Sequence, residues 1–359
     1  MSTTIKKRLE HALEVGQEID KEQRSTTITS SCDHELSISN QKEINLGDEN
    51  GIYTIALSQD GSEAAVGLGS GILQLYNCSN WEKVRKLRTG LFTNLPLLAV
   101  KFFPCITNNT LFTGGSDGVI KAWNLETYTH TKSTEESGNQ ITSLDFNNTG
   151  VYFATGGKDC CVRVYDSDSM VLTRSYTGTN SLDIDSLEDV TATPGHSKKV
   201  FAVKFHPDDS NIFFSASWDR TLKFWDLRTD YAVRTVHGPF ICGDGLDIFH
   251  NTVLTASWHA QDSLQLWDYT SGQLIKTVPY PTLEHKGEYL YCARFFDEHN
   301  IVAGGSGAND LKVINVTSNK VVGSLSGFGH PVQAVEVMEK KNMLLCGTSG
   351  NLLQTATLI

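Results

Sequence analysis

The chain has 359 residues, enough to bury a large core, and sets 30 Lys and Arg against 41 Asp and Glu, a formal net charge of −11. That acidic balance repels phosphate backbones and anionic lipid, so neither nucleic acid nor membrane is expected as a direct partner. No run approaches the roughly 18 apolar residues of a spanning helix, the opening MSTTIKKRLEHALEVGQ is charged throughout, and the eight cysteines form no CxxC pair; a soluble, cytoplasmic chain with reduced, small, buried cysteines is expected.

From Thr4 to Arg24, Ile5, Leu9, Ala12, Leu13, Gly16 and Ile19 recur at helical spacing with mixed charges opposite. This predicts a short amphipathic N-terminal α-helix whose stripe either packs on the rest of the chain or docks a partner. Residues 1–31 are taken as helix and linker, and residues 32–359 as one repeat-built domain. From Ile52 onward, short strand-like runs end in a bulky residue followed by an acid or amide: Tyr76-Asn77, Trp123-Asn124, Tyr165-Asp166, Trp225-Asp226, Trp267-Asp268 and Ile314-Asn315, with a weakened copy near Thr355-Ala356. Their spacings of 47, 42, 60, 42, 47 and 41 residues match the period of a four-stranded unit repeated around a ring. The seventh unit has three strands, HPVQAVEVM, NMLLCGT and NLLQTATLI. The segment from Cys32 to Leu46, CDHELSISNQKEINL, is expected to add the fourth and hide the open edge.

Small residues recur before the turn of several units, in TGGSDG (113–118), TGGKDC (155–160), TASWHA (255–260) and AGGSGA (303–308), which predicts close approach of neighbouring strands. Gly114 to Gly118 also fits G-x-S-x-G, but that nucleophile motif needs a strand feeding a helix, and the IKAWN that follows reads as a strand. The eleven histidines are dispersed, and carboxylate pairs such as Asp208-Asp209 sit in turn-like stretches. No catalytic, metal or cofactor site is expected, and the chain is not read as an enzyme. The 60-residue spacing comes from an insertion, GTNSLDIDSLEDVTATP, after the strand MVLTRSY. It mixes Asp183, Asp185, Glu188 and Asp189 with Leu182, Ile184, Leu187 and Val190, and reads as a tolerated irregular loop or as a binding element.

The fourth unit is the most complete. Gly195-His196 precedes the strand FAVKFHP, and FFSASWDRTLKFWDLR then supplies Ser215, a turn at Trp218-Asp219-Arg220, and Trp225-Asp226. This order resembles the WD-repeat, or beta-transducin-repeat, family. The resemblance implies an all-β, seven-bladed β-propeller closed by an N-terminal strand, and a structural network of His196, Ser215, Asp219 and Trp225. An imidazole, a hydroxyl, a carboxylate and an indole N–H there satisfy one another where water cannot reach. It also implies a non-enzymatic scaffold for other proteins in a multi-subunit intracellular assembly, with cytoskeletal and ciliary complexes among the settings, the propeller itself being monomeric. Trp225-Asp226-Leu227-Arg228 matches the W-D-x-R signature, which implies as the alternative a substrate receptor of a cullin-type ubiquitin ligase docking through Arg228. Trp218 and Trp258 share a register in units four and five, and Lys158 takes that place in unit three. Together with His259 they are the expected protein-binding residues, on a face that the 180–190 stretch would share or cover.

Overall fold

The structure is a computed structural model and describes residues 38–47, 49–89, 95–105, 107–178, 195–282 and 288–359. The expected N-terminal helix, the boundary after residue 31 and the acidic insertion from Asn180 to Val190 lie outside the described residues. Within them, 28 strands form seven four-stranded antiparallel sheets, the blades of a propeller. Six blades use four strands in chain order; blade four, for example, consists of Val200–Phe205, Ile212–Ser217, Thr221–Asp226 and Arg234–His237. Blade seven joins Val332–Met338, Met343–Thr348 and Leu352–Leu358 to Ile38–Asn45. Ile38 pairs with Leu358 and Asn45 with Leu352, so the N-terminal strand covers the edge that the last three strands would leave open.

The inner strands do not alternate in burial, because each blade is covered on both faces by its neighbours. IFFSAS of Ile212–Ser217 is buried at all six positions, whereas the outer strand KVRKLR of Lys83–Arg88 is exposed except at Leu87. Successive residues serve opposite interfaces. Phe213 and Trp225 pack with Val162, Val164 and Val200 towards blade three, while Phe214 and Phe224 pack with Ile248 and Trp267 towards blade five. Truncating one of these aromatics to Ala opens a cavity between blades at about 3–5 kcal/mol. The recurrent small residue also belongs to that interface. Gly67, Gly114, Gly156, Ala216, Ala256, Gly304 and Gly347 hold the same place in the second strand of each blade. A Cβ on Gly156 would come within 2.6 Å of Val200 Cγ1, and one on Gly114 within 2.8 Å of Ile141 Cγ2, both on the next inner strand.

Two expectations need correction. Phe213 pairs with Trp225 and Ile212 with Asp226; the equivalent pairs in blade seven are Leu344 with Ala356 and Met343 with Thr357. The seventh copy is therefore Ala356-Thr357 and not Thr355-Ala356, because QTATL offers no bulky residue to mark the position. In a strand, that one-residue slip exchanges the two faces. Of the seven described cysteines, all free, only Cys292 and Cys346 are buried; Cys105 is exposed and the other four are half-buried.

A charge pattern runs around the innermost strands. At one register, blades two to seven carry Lys101, Asp145, Lys204, Asp247, Arg294 and Glu336, with alternating sign, and blade one carries Ala56. Lys101 Nζ lies 3.6 Å from Asp145, Lys204 Nζ 3.1 Å from Asp247, and Arg294 Nε 3.7 Å from Glu336. Asp145 also accepts the backbone N–H of Phe205 at 2.8 Å, and Asp247 that of Phe295 at 2.9 Å, which ties each carboxylate to the following blade. Signs can alternate around a closed ring only if its members are even in number. With seven blades one place must be neutral, and Ala56 fills it.

Candidate functional site

In blade four, Trp225 donates its Nε1–H to Ser215 Oγ at 2.7 Å. Ser215 Oγ lies 2.6 Å from His196 Nε2, and His196 Nδ1 lies 2.8 Å from Asp219 Oδ2. Burial pulls His196 below the ordinary imidazole value, against the raising effect of Asp219. The neutral ring accepts the serine proton at Nε2 and donates Nδ1–H to the carboxylate. Burial alone would raise Asp219, but His196, the Thr221 hydroxyl at 2.6 Å and the Ser197 N–H at 3.0 Å hold it well below the usual carboxylate range. Serine, imidazole and carboxylate at these separations have the geometry of a nucleophilic triad. Ser215 is 0% exposed, however, and His196 1%, with the Trp225 indole already on the serine oxygen, so a substrate carbonyl has no approach. The arrangement ties the entry of blade four to its second and third strands.

Other blades meet the same need with other residues. In blades two and five the indoles of Trp123 and Trp267 donate to Thr113 and Thr255, each at 2.9 Å. In blade three the buried carboxylate of Glu136 receives four donors: Thr155 Oγ1 at 2.6 Å, Tyr165 Oη at 3.0 Å, Asn139 Nδ2 at 2.6 Å and Arg163 Nη1 at 2.8 Å. Sequence reasoning missed Glu136. Its signal was an acid in the connection to the third inner strand, in the unit that lacks the histidine but carries Arg163 and Tyr165 on its third strand. The charge ring was missed as well, although it stands in the sequence as the residue before Phe in LLAVKF, ITSLDF, VFAVKF and LYCARF.

Lys158, Trp218 and Trp258 do share one register: their backbone N–H groups bond the carbonyls of Gln140, Lys199 and Phe240, in the connections that lead into the inner strands of blades three, four and five. In blades two and seven Ser116 and Ser349 make the equivalent bonds. Trp218 is 42% and Trp258 37% exposed, large values for indoles. Each indole N–H is anchored, Trp218 to Cys242 Sγ at 2.7 Å and Trp258 to Tyr291 Oη at 3.1 Å, so the exposed faces are held in place. His259, in the turn beyond Trp258, has Nδ1 3.1 Å from the Gln261 carbonyl.

A family model described as "WD domain, G-beta repeat" matches residues 127–166 and 188–226, which are the units ending in Tyr165-Asp166 and Trp225-Asp226. The chain is a WD-repeat protein. Over 76% of its length it is 27% identical to "Cell division cycle 20.1, cofactor of APC complex" of Arabidopsis thaliana, covering 56% of that protein. Over 67% it is 24% identical to "WD repeat-containing protein slp1" of Schizosaccharomyces pombe (45% of that protein), and over 48% it is 31% identical to "Autophagy-related protein 16" of Arabidopsis thaliana (30% of that protein). The chain thus spans well under two thirds of the length of these curated relatives.

In this WD-repeat chain Arg228 follows the third strand of blade four, at the end opposite the Trp218 turn. Its guanidinium is folded onto Asp226, with Nε at 2.8 Å from Oδ1 and Nη2 at 2.6 Å from Oδ2. The G-x-S-x-G residues run from the end of the strand Thr110–Gly115 through the turn to Val119–Asn124, with Asp117 accepting the N–H of Val119 at 3.1 Å. That is a strand–turn–strand, without the helix a nucleophile elbow requires.

Proposed function

We propose that this WD-repeat protein is a non-enzymatic scaffold whose partner-binding site is the face presenting Trp218 and Trp258, with Lys158 beside them and His259 at the margin. The observation that carries the reading is the pair of exposed, anchored indoles at one register of adjacent blades, where blades two and seven have serine. Large aromatics held rigid before binding lose little conformational freedom on contact, and such residues dominate interface energetics. The sealed histidine–serine–carboxylate network supports a structural use of the polar residues that would otherwise invite an enzymatic reading. The setting we propose is a cytoplasmic multi-protein assembly, cytoskeletal or ciliary, joined by a single propeller. The ligase-receptor alternative is less favoured, because Arg228 is already engaged by Asp226 and an adaptor would have to compete with that pairing.

The test is affinity purification of the full chain from cells, with identification of co-purifying chains, repeated with Trp218→Ala plus Trp258→Ala after its melt is shown to match wild type. Loss of a true anchor costs at least about 2 kcal/mol, some 30-fold in affinity, so the partner should vanish from the double variant. Undiminished recovery would move the site elsewhere. Recovery of a cullin adaptor that depends on Arg228 would promote the alternative.

A further inference from the structure

The surroundings of the tryptophan pair specify the chemistry of what binds there. Phe201, Trp218, Phe240, Trp258 and Tyr289 form an unbroken series of rings over blades four to six, with successive centroids 4.9, 6.5, 6.2 and 4.8 Å apart. Cations border the series. Lys199 Nζ lies 4.7 Å from the Phe201 ring centre, the Arg220 guanidinium 5.6 Å from that of Phe240, and Lys158 is close enough to act on Lys199 electrostatically. The carboxylates next to them in the chain are already engaged, Asp159 with Arg163 and Asp219 with His196. Lys199 is half-buried, and burial, then Lys158, destabilise its charge. An incoming anion would relieve both effects. On a chain of net charge −11, an acidic ligand is repelled by the surface at large and attracted to this patch.

We propose that this face binds an acidic peptide segment of a partner protein, seating an aromatic or aliphatic side chain on Phe240 between Trp218 and Trp258 and placing a carboxylate within a few residues of it against Lys199 and Lys158. The proposal rests on the tryptophan pair being the partner site, and adds the partner's chemistry.

The experiment selects randomised dodecapeptides on the immobilised full chain and measures the recovered peptide by fluorescence polarisation, beside a version with its Asp and Glu changed to Asn and Gln. The expected motif combines Asp or Glu with a nearby Trp, Phe or Leu. The amide version and the Lys158→Glu plus Lys199→Glu protein should each bind about tenfold more weakly or worse, and the loss should shrink in high salt. Lys158→Ala alone, at an exposed position, should give a smaller loss in the same direction and guards against misfolding of the double variant. A selection that enriches no acidic sequence, or binding unchanged by the lysine reversals, overturns the proposal. If Trp218→Ala plus Trp258→Ala abolishes binding while the lysine reversals do not, the interaction face stands and the acidic chemistry is wrong. If the lysines matter and the tryptophans do not, the site itself has been misplaced.

Discussion

In blade four the buried polar atoms are joined by a relay, from the Trp225 indole through Ser215 and a neutral His196 to Asp219, whereas in blade three one carboxylate, Glu136, receives four donors including a guanidinium. Both arrangements connect the entry of a blade to its second and third strands, and both leave the local backbone pairing the same. Burial in this fold demands that each polar atom find a partner; it does not demand a particular residue. The two solutions should nevertheless fail differently. A relay of mostly neutral hydrogen bonds loses its links one by one, while an ionic centre that loses its anion leaves a cation stranded.

The sharpest break of the comparison is therefore Glu136→Ala. It removes four acceptor bonds at once and leaves Arg163, largely buried, with Asp159 as its remaining anion. The expected loss is about 3–5 kcal/mol in urea or thermal denaturation. Glu136→Gln keeps an acceptor for the hydroxyls and should lose less. In blade four, Asp219→Ala leaves the N–H groups of Ser197 and Thr221 without their carboxylate and His196 Nδ1–H with only the Thr221 hydroxyl at 3.2 Å, at a cost of roughly 1–3 kcal/mol. Asp117→Ala in blade two, where among the described residues that carboxylate accepts only the N–H of Val119, should cost less again. If Asp219→Ala proved as costly as Glu136→Ala, the distinction between relay and ionic centre would fall.

What the sequence disclosed follows the same line. Blade four was legible because its residues follow the motif, and the ring closure was legible because a three-stranded last unit demands a fourth strand, which Ile38–Asn45 provides. Glu136 was hidden because it does the work of a histidine with a different residue type. The alternating charges were hidden because periodicity within a strand says nothing about a pattern that repeats once per blade. The shift from Thr355 to Ala356 had a similar origin: without a Trp or Tyr to fix the register, Gln354, Thr355 and Ala356 are indistinguishable by pattern, and the ladder with Met343–Thr348 decides. Likewise, the exposed state of Trp218 and Trp258 depends on how neighbouring blades abut, which no single repeat encodes.

Blade six offers the most specific test, because there the polar wiring is incomplete. Ala303 stands where blade four has Ser215, and Ile314 where it has Trp225, so neither the hydroxyl nor the indole is present. The Tyr280 hydroxyl turns to Asp310 at 3.0 Å, and Asp310 is paired with Lys312. Glu288, 1% exposed, accepts one backbone N–H, from Ala308 at 3.1 Å, and its other oxygen has no hydrogen-bond partner among the described residues. Burial pushes this carboxyl from an ordinary value near 4.5 up to about 7; the Ala308 N–H opposes the rise and Asp310 reinforces it. A carboxyl whose folded value is raised contributes its stability in full below the unfolded value and loses it as pH climbs through the folded one. Wild type should therefore weaken between about pH 4.5 and 7 and level off above. Glu288→Gln cannot ionise, so its stability relative to wild type should rise across that window by up to about 3 kcal/mol and stay constant beyond it, as read from urea midpoints at several pH values. A difference between the two proteins that is the same at pH 5 and pH 8 would mean that Glu288 keeps an ordinary pKa in the folded chain and that the carboxyl of blade six is as well served as those of blades three and four.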